Sequence, residues 1–234
     1  MGWFGRKGLE VSPGGSVIQR YPDKDFMKPR IGFSPAPMDG FVAERESVYQ
    51  RLFGEPAGVS HEMLPQVPHI DVYTCYRRSK DGSSTCVLVT GGMSDAPMTT
   101  PDESNFPRRV ELILYCKEPK PEYIATLRWL AHFPHNQSTW LGMGHTIPNG
   151  IPPQPFWGSA VLDTILLLPP IVQKDAALPQ HLKIAGEPVE FLWVVPISTA
   201  ECTLKLDKGV EAILDLFSIH RHPHVFDPRR KSYV

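Results

Sequence analysis

Twenty-five prolines, spread from Pro13 to Pro228 through 234 residues, set the tightest limit on what this chain can fold into. Each one fixes φ and removes a backbone donor. Their share is about twice the usual value of roughly 5%. Spread rather than clustered, they call for many short elements joined by rigid turns, not for a low-complexity disordered chain. The length suits one domain with a real core, or two small ones. Pro169 and Pro170 break the longest apolar run, 165–172, which is far too short to span a bilayer. The first eight residues lack the apolar stretch of a signal peptide. A soluble, non-secreted, cytoplasmic protein is the expectation. Lys plus Arg number 24 and Asp plus Glu 25. That balance gives no bulk attraction for nucleic acid or an anionic membrane.

Residues 1–38 read as an irregular leader along the domain surface, and residues 39–234 as one domain. Helix spacing covers Phe41 to Phe53, with Asp39 as an N-cap and Gly54 as a stop. It returns at Glu122 to His132, and at Val210, Ile213, Leu214 and Phe217 after a cap at Asp207. Strands are predicted over Val59–Met63, His69–Tyr76, Thr85–Thr90, Arg109–Cys116, Thr164–Leu168 and Glu190–Ile197. The Arg109–Cys116 strand is apolar on both faces and so should be central. Lys80-Asp81-Gly82-Ser83 has hairpin chemistry. Ser198 and Glu201 have the form of a capping box. Strands in runs with helices interspersed irregularly predict an α+β fold: one mixed, mostly antiparallel twisted sheet flanked by helices.

The four cysteines form no C-x-x-C pair, and three sit in apolar runs, as buried inert thiols do. Residues 89–98 contain Gly91-Gly92-Met93-Ser94-Asp95. The glycines allow positive φ, and the Ser94 and Asp95 side chains can fix a turn. No phosphate-loop lysine follows. Residues 132–150 are dense in His, Trp and Gly, and read as a loop that presents aromatic and polar groups. The basic C-terminal run Arg229-Arg230-Lys231 reads first as a solvated end. His69 and Asp71 would share one face of a strand. No histidine spacing matches a zinc pattern, and there is no Gly-x-Ser-x-Gly elbow. No cofactor and no metal is expected. A metal-assisted hydrolase using His69, Asp71 and His145 is the alternative function.

Taken in order, His69-Ile70-Asp71-Val72, Gly92-Met93-Ser94-Asp95, Trp140-Leu141-Gly142 with Gly144-His145-Thr146, the strand ending Leu167-Leu168-Pro169-Pro170, and Glu190–Ile197 with the Glu201 helix resemble the Suppressor of Fused family over about residues 55–217. The resemblance is to a bacterial-type single-domain member. It implies a protein-binding domain rather than an enzyme. Larger animal relatives hold a partner peptide between two domains, and over these 234 residues the expectation is one domain without the second. Some similar bacterial proteins look like immunity proteins that bind and neutralise a toxin. The partner is expected to be a protein, with Asp71, Ser94, Asp95, Trp140, His145 and Asn149 as the candidate contact cluster.

Overall fold

The computed structural model describes residues 10–21, 39–64, 66–78, 82, 84–101, 106–176, 178 and 181–234, the side chains of residues 39, 40, 173 and 174 excepted. In chain order the elements are β1 (Glu10–Val11), β2 (Val17–Ile18), α1 (Asp39–Phe53), β3 (Gly58–Ser60), β4 (Asp71–Arg78), β5 (Ser84–Gly91), a 3-10 turn at Met93–Asp95, and β6 (Val110–Cys116). There follow α2 (Pro121–Gln137), β7 (Thr146–Pro148), β8 (Leu162–Leu168), α3 (Gln173–Ala176), β9 (Lys183–Ile184), β10 (Glu187–Pro188), β11 (Glu190–Ser198), α4 (Thr199–Lys208) and α5 (Val210–Ile219). No helix among the described residues is long and apolar enough to cross a membrane.

One seven-stranded sheet runs β3-β4-β5-β6-β11-β8-β7. Every pairing is antiparallel except β11 with β6. The sheet is therefore mixed and mostly antiparallel, with helices on both faces, as the α+β pattern predicts. β6 lies in the middle because it has no polar face to give to water. Its even positions, Val110, Leu112, Leu114 and Cys116, join one core with Tyr123, Leu127 and Leu130 of α2. Its odd positions Ile113 and Tyr115 join a second core with Val48, Tyr49 and Phe53 of α1 and Ile213 and Phe217 of α5. This is the two-residue period of a strand buried on both sides.

Several local expectations are corrected. α2 runs to Gln137 and takes in the first third of the stretch read as a loop. Pro134 sits inside it. Burial of Phe133 and His135 holds the last turn helical despite the lost donor. The Pro134 carbonyl then accepts from the backbone N–H groups of Ser138 and Thr139. Asp207 does not cap α5: it lies within α4, and Gly209 separates the two helices. The capping box at Ser198 and Glu201 is present in both directions. The Asp39 side chain lies outside the described residues, as does the 80–83 turn apart from Gly82. Residues 10–18, read as irregular, form a hairpin whose turn packs on the end of α4, with the Gly14 N–H donating to Leu206 O at 2.7 Å.

The basic tail is also not a solvated end. The Arg230 guanidinium donates to both carboxylate oxygens of Glu201, at 2.6 and 2.9 Å, and to Pro196 O at 3.0 Å. The Tyr233 ring stacks on His220.

Candidate functional site

Strand directions bring most of the singled-out residues to one end of the sheet. Asp71 opens β4 and pairs with Gly91 at the close of β5. β6 begins beside the start of β11, with Val110 facing Glu190. β8 ends there too, since Trp193 faces Leu168. His145 immediately precedes β7, and its carbonyl accepts from Leu167 N at 3.0 Å. Asn149 is the exception. It follows β7, its N–H bonds Asp163 O at the other end of β8, and its side-chain amide donates to Gln154 O.

Sharing an end is not sharing a site. β4 and β7 are five strand steps apart in the sheet order, about 24 Å at about 4.8 Å per step. Asp71 and His145 therefore do not meet. Asp71 instead takes His61 Nδ1 at 2.9 Å, His69 Nε2 at 3.1 Å and the Glu62 N–H at 3.0 Å. Glu62 holds His132 Nε2 at 2.7 Å and the Ile70 N–H at 3.1 Å. These contacts tie the β3–β4 connection to α2. His69, Asp71 and His145 do not assemble as one catalytic set. Among the described residues no three His, Cys, Asp or Glu side chains gather to hold a metal.

Ser94 and Asp95 are built into the turn. Ser94 is fully buried, and both its N–H and its hydroxyl donate to Glu111 Oε1, at 3.0 and 2.6 Å. The Asp95 carboxylate, 3% exposed, takes Arg45 Nη1 at 2.6 Å. Arg109 caps the turn by donating to the carbonyls of Ser94 and Asp95. Gly92 has φ of 115° and its N–H also reaches Glu111 Oε1. A side chain there would run into the His69 carbonyl.

Trp140 stands in the open part of this end. It stacks on Phe106, with centroids 4.2 Å apart, and meets the His145 ring edge-on at 4.3 Å. Its loop is pinned on two sides: Thr99 N donates to Thr139 O, and Gly144 N to Leu167 O. A groove of about 290 Å³ opens here, lined mainly by Phe106, Trp140, Met143, Pro169, Pro170 and Glu190. Phe106 is 49% exposed and Met143 54%. The described lining is apolar except for Glu190, and exposed apolar area of this kind is what ligand and partner surfaces are built from. Sequence reasoning missed Phe106, Met143 and Glu190. In the sequence Pro169 and Pro170 stand out as the break in an apolar run and the end of a strand, not as part of a binding surface. The usable signal was that a proline pair at a strand end leaves rigid apolar surface beside the sheet.

Burial lowers the His145 pKa to about 4, with the positive charge of Lys205 adding to the effect. The His222 pKa is also lowered to about 4, first by burial and then by Arg230. Both folded values lie below the unfolded one near 6.5. The unfolded chain then binds more protons between about pH 4 and 6.5, so stability present at neutral pH is lost as pH falls through that window. The urea midpoint is expected to drop between pH 7 and 4.5, less steeply in His145→Gln. Equal slopes in both proteins would remove His145 from this account.

The Suppressor of fused protein (SUFU) family model matches residues 66–231. The fold is similar to that of a SUFU homolog from Neisseria gonorrhoeae, with a TM-score of 0.62 and 19% identity over 85% of this chain and 98% of that one. It is similar to a chain of the Sufu–Fu complex, with a TM-score of 0.53 and 15% identity over 88% of this chain and 93% of that one. It also resembles Drosophila Suppressor of Fused, with a TM-score of 0.53 and 13% identity over 86% of this chain but 52% of that one. No curated protein matches the chain.

Proposed function

The chain belongs to the Suppressor of Fused family, and from that premise we propose that it is a cytoplasmic protein-binding domain that docks its partner in the groove of Phe106, Trp140 and Met143. The observation that carries this reading is the groove itself: a half-exposed aromatic stack and a half-exposed methionine on a loop pinned to the sheet. Rigid aromatic anchors lose little entropy on binding and supply most of the energy of an interface. The polar residues singled out from sequence serve this surface from behind. Ser94 and Asp95 hold the β5 turn, and His145 buttresses the Trp140 ring.

The finer reading is an immunity-type role, in which the domain occludes a toxin without chemistry of its own. It rests on the resemblance to single-domain bacterial members. Engagement of Asp71 with His61 and His69, and of Glu62 with His132, gives these groups structural work and favours binding over hydrolysis.

Affinity capture from the native host, with quantitative mass spectrometry, tests the reading. A stoichiometric partner is expected on the wild type. Trp140→Ala, with an unchanged circular dichroism spectrum, should weaken it by about 2 kcal/mol or more, roughly 30-fold. Asn149→Ala, at the opposite end of the sheet, should retain it. Equal retention by the two variants would contradict the assignment of the groove.

A further inference from the structure

Among the described residues that line the groove, one carries a charge. Glu190, the first residue of β11, lines it together with Phe106, Trp140, Met143, Pro169 and Pro170. Its backbone N–H is committed to Arg109 O at 3.0 Å. Its carboxylate has no hydrogen bond and no ion pair among the described residues, and desolvation by burial alone raises its pKa. Arg109, the neighbouring cation, directs its guanidinium to Ser94 O, Asp95 O and Glu187 instead. A partly buried carboxylate without a counter-charge is costly, and a cation brought by a ligand would relieve that cost.

We propose that the groove receives an arginine side chain of the partner protein, its guanidinium on the Glu190 carboxylate and its methylene stem along Phe106 and Trp140. Two independent features converge on this ligand. The aromatic pair offers apolar surface to the methylene stem, and the carboxylate offers two acceptors to the fork of donors at its end. Guanidinium suits both at once, being planar and more weakly hydrated than an ammonium. An all-apolar side chain would desolvate the partly buried Glu190 further and leave it unpaired, which the groove would penalise. The inference rests on the groove being the partner surface.

The test is an NMR titration of labelled protein with N-acetyl-arginine methylamide and, as its uncharged isostere, N-acetyl-citrulline methylamide, read at the Trp140 indole N–H. Saturable shifts with the arginine probe are expected, with affinity at least 10-fold above that of citrulline. Glu190→Gln should bring the arginine probe down to the citrulline level while leaving the Phe106 and Trp140 signals dispersed as in the wild type. Equal affinity for the two probes, no saturable shift with either, or arginine binding unchanged in Glu190→Gln would overturn the proposal. The captured partner separates this inference from the broader reading. A partner lost on Trp140→Ala but held equally by Glu190→Gln would end the arginine assignment and keep the groove. A partner held by both variants would end both.

Discussion

Replacing Glu111 by alanine is expected to cost about 4 kcal/mol of stability, the scale of breaking a buried charged network. Glu111 is fully buried at the second position of the central strand β6. Its Oε1 accepts from Gly92 N at 3.0 Å, Ser94 N at 3.0 Å and Ser94 Oγ at 2.6 Å, and its Oε2 accepts from Thr90 Oγ1 at 2.6 Å. Removing it strands these donors where water does not reach. It also weakens the field around Arg45. Burial by itself would lower the Arg45 pKa, but Glu111 and Asp95 overrule it and raise the value. With Glu111 gone, that guanidinium, 3% exposed, keeps Asp95 as its carboxylate partner among the described residues. Glu111→Gln keeps the shape with one acceptor oxygen and should fall between, at about 2 kcal/mol. Urea denaturation followed by circular dichroism decides the matter. A loss below about 1 kcal/mol for the alanine variant would mean that the turn is held by something else.

Arg230→Ala is expected to cost about 3 kcal/mol, although it lies only four residues before Val234. Its partner Glu201 is fully buried, and one carboxylate organises three elements. It caps α4 through the Ser198 N–H at 2.7 Å, fixes the tail through the Tyr233 N–H at 3.1 Å, and pairs with Arg230 in bidentate fashion. Burial would push the Glu201 carboxyl up, but Arg230 and the two backbone donors outweigh it and hold the pKa below the usual range. The folded value is therefore below the unfolded one. This contribution is fully present above the unfolded pKa near 4.3 and is lost as pH falls through the lower folded value. The wild type and Arg230→Ala should thus differ at pH 7 and converge in acid. Because the pair is buried, 0.5 M salt should leave the difference at pH 7 nearly unchanged. A surface-like loss below about 0.5 kcal/mol, erased by salt, would contradict the buried bridge.

The fold was legible where a single period or cap decides the local structure. The two-faced apolar run of Val110–Cys116 gave away the central strand, and Ser198 with Glu201 gave away the start of α4. It was not legible where distant packing overrides local signals. Pro134 stays helical because its neighbours Phe133 and His135 are buried. Arg229-Arg230-Lys231 looks like a solvated end because the acid it answers, Glu201, lies 29 residues away in sequence. The candidate site shows the same division. Sequence picked out Trp140 and the Ser94-Asp95 turn by composition, and the structure sets them at one end of the sheet in different roles. Asp71 could be placed on a strand and His145 in a loop, but not toward opposite edges of the sheet, because strand order is a long-range property that no local pattern encodes. Glu190 gave no local signal at all. It opens an ordinary strand, and its environment is made by Phe106, Trp140 and Pro169, each from a different segment.

The most direct test of the central claim is site-specific photo-crosslinking in the native host, with p-benzoyl-phenylalanine placed in turn at Phe106, Met143 and Asn149. If the groove is the docking surface, Phe106 and Met143 should capture one and the same protein, and Asn149, at the far end of the sheet, should not. Adducts of equal yield from all three positions, or from Asn149 alone, would contradict it.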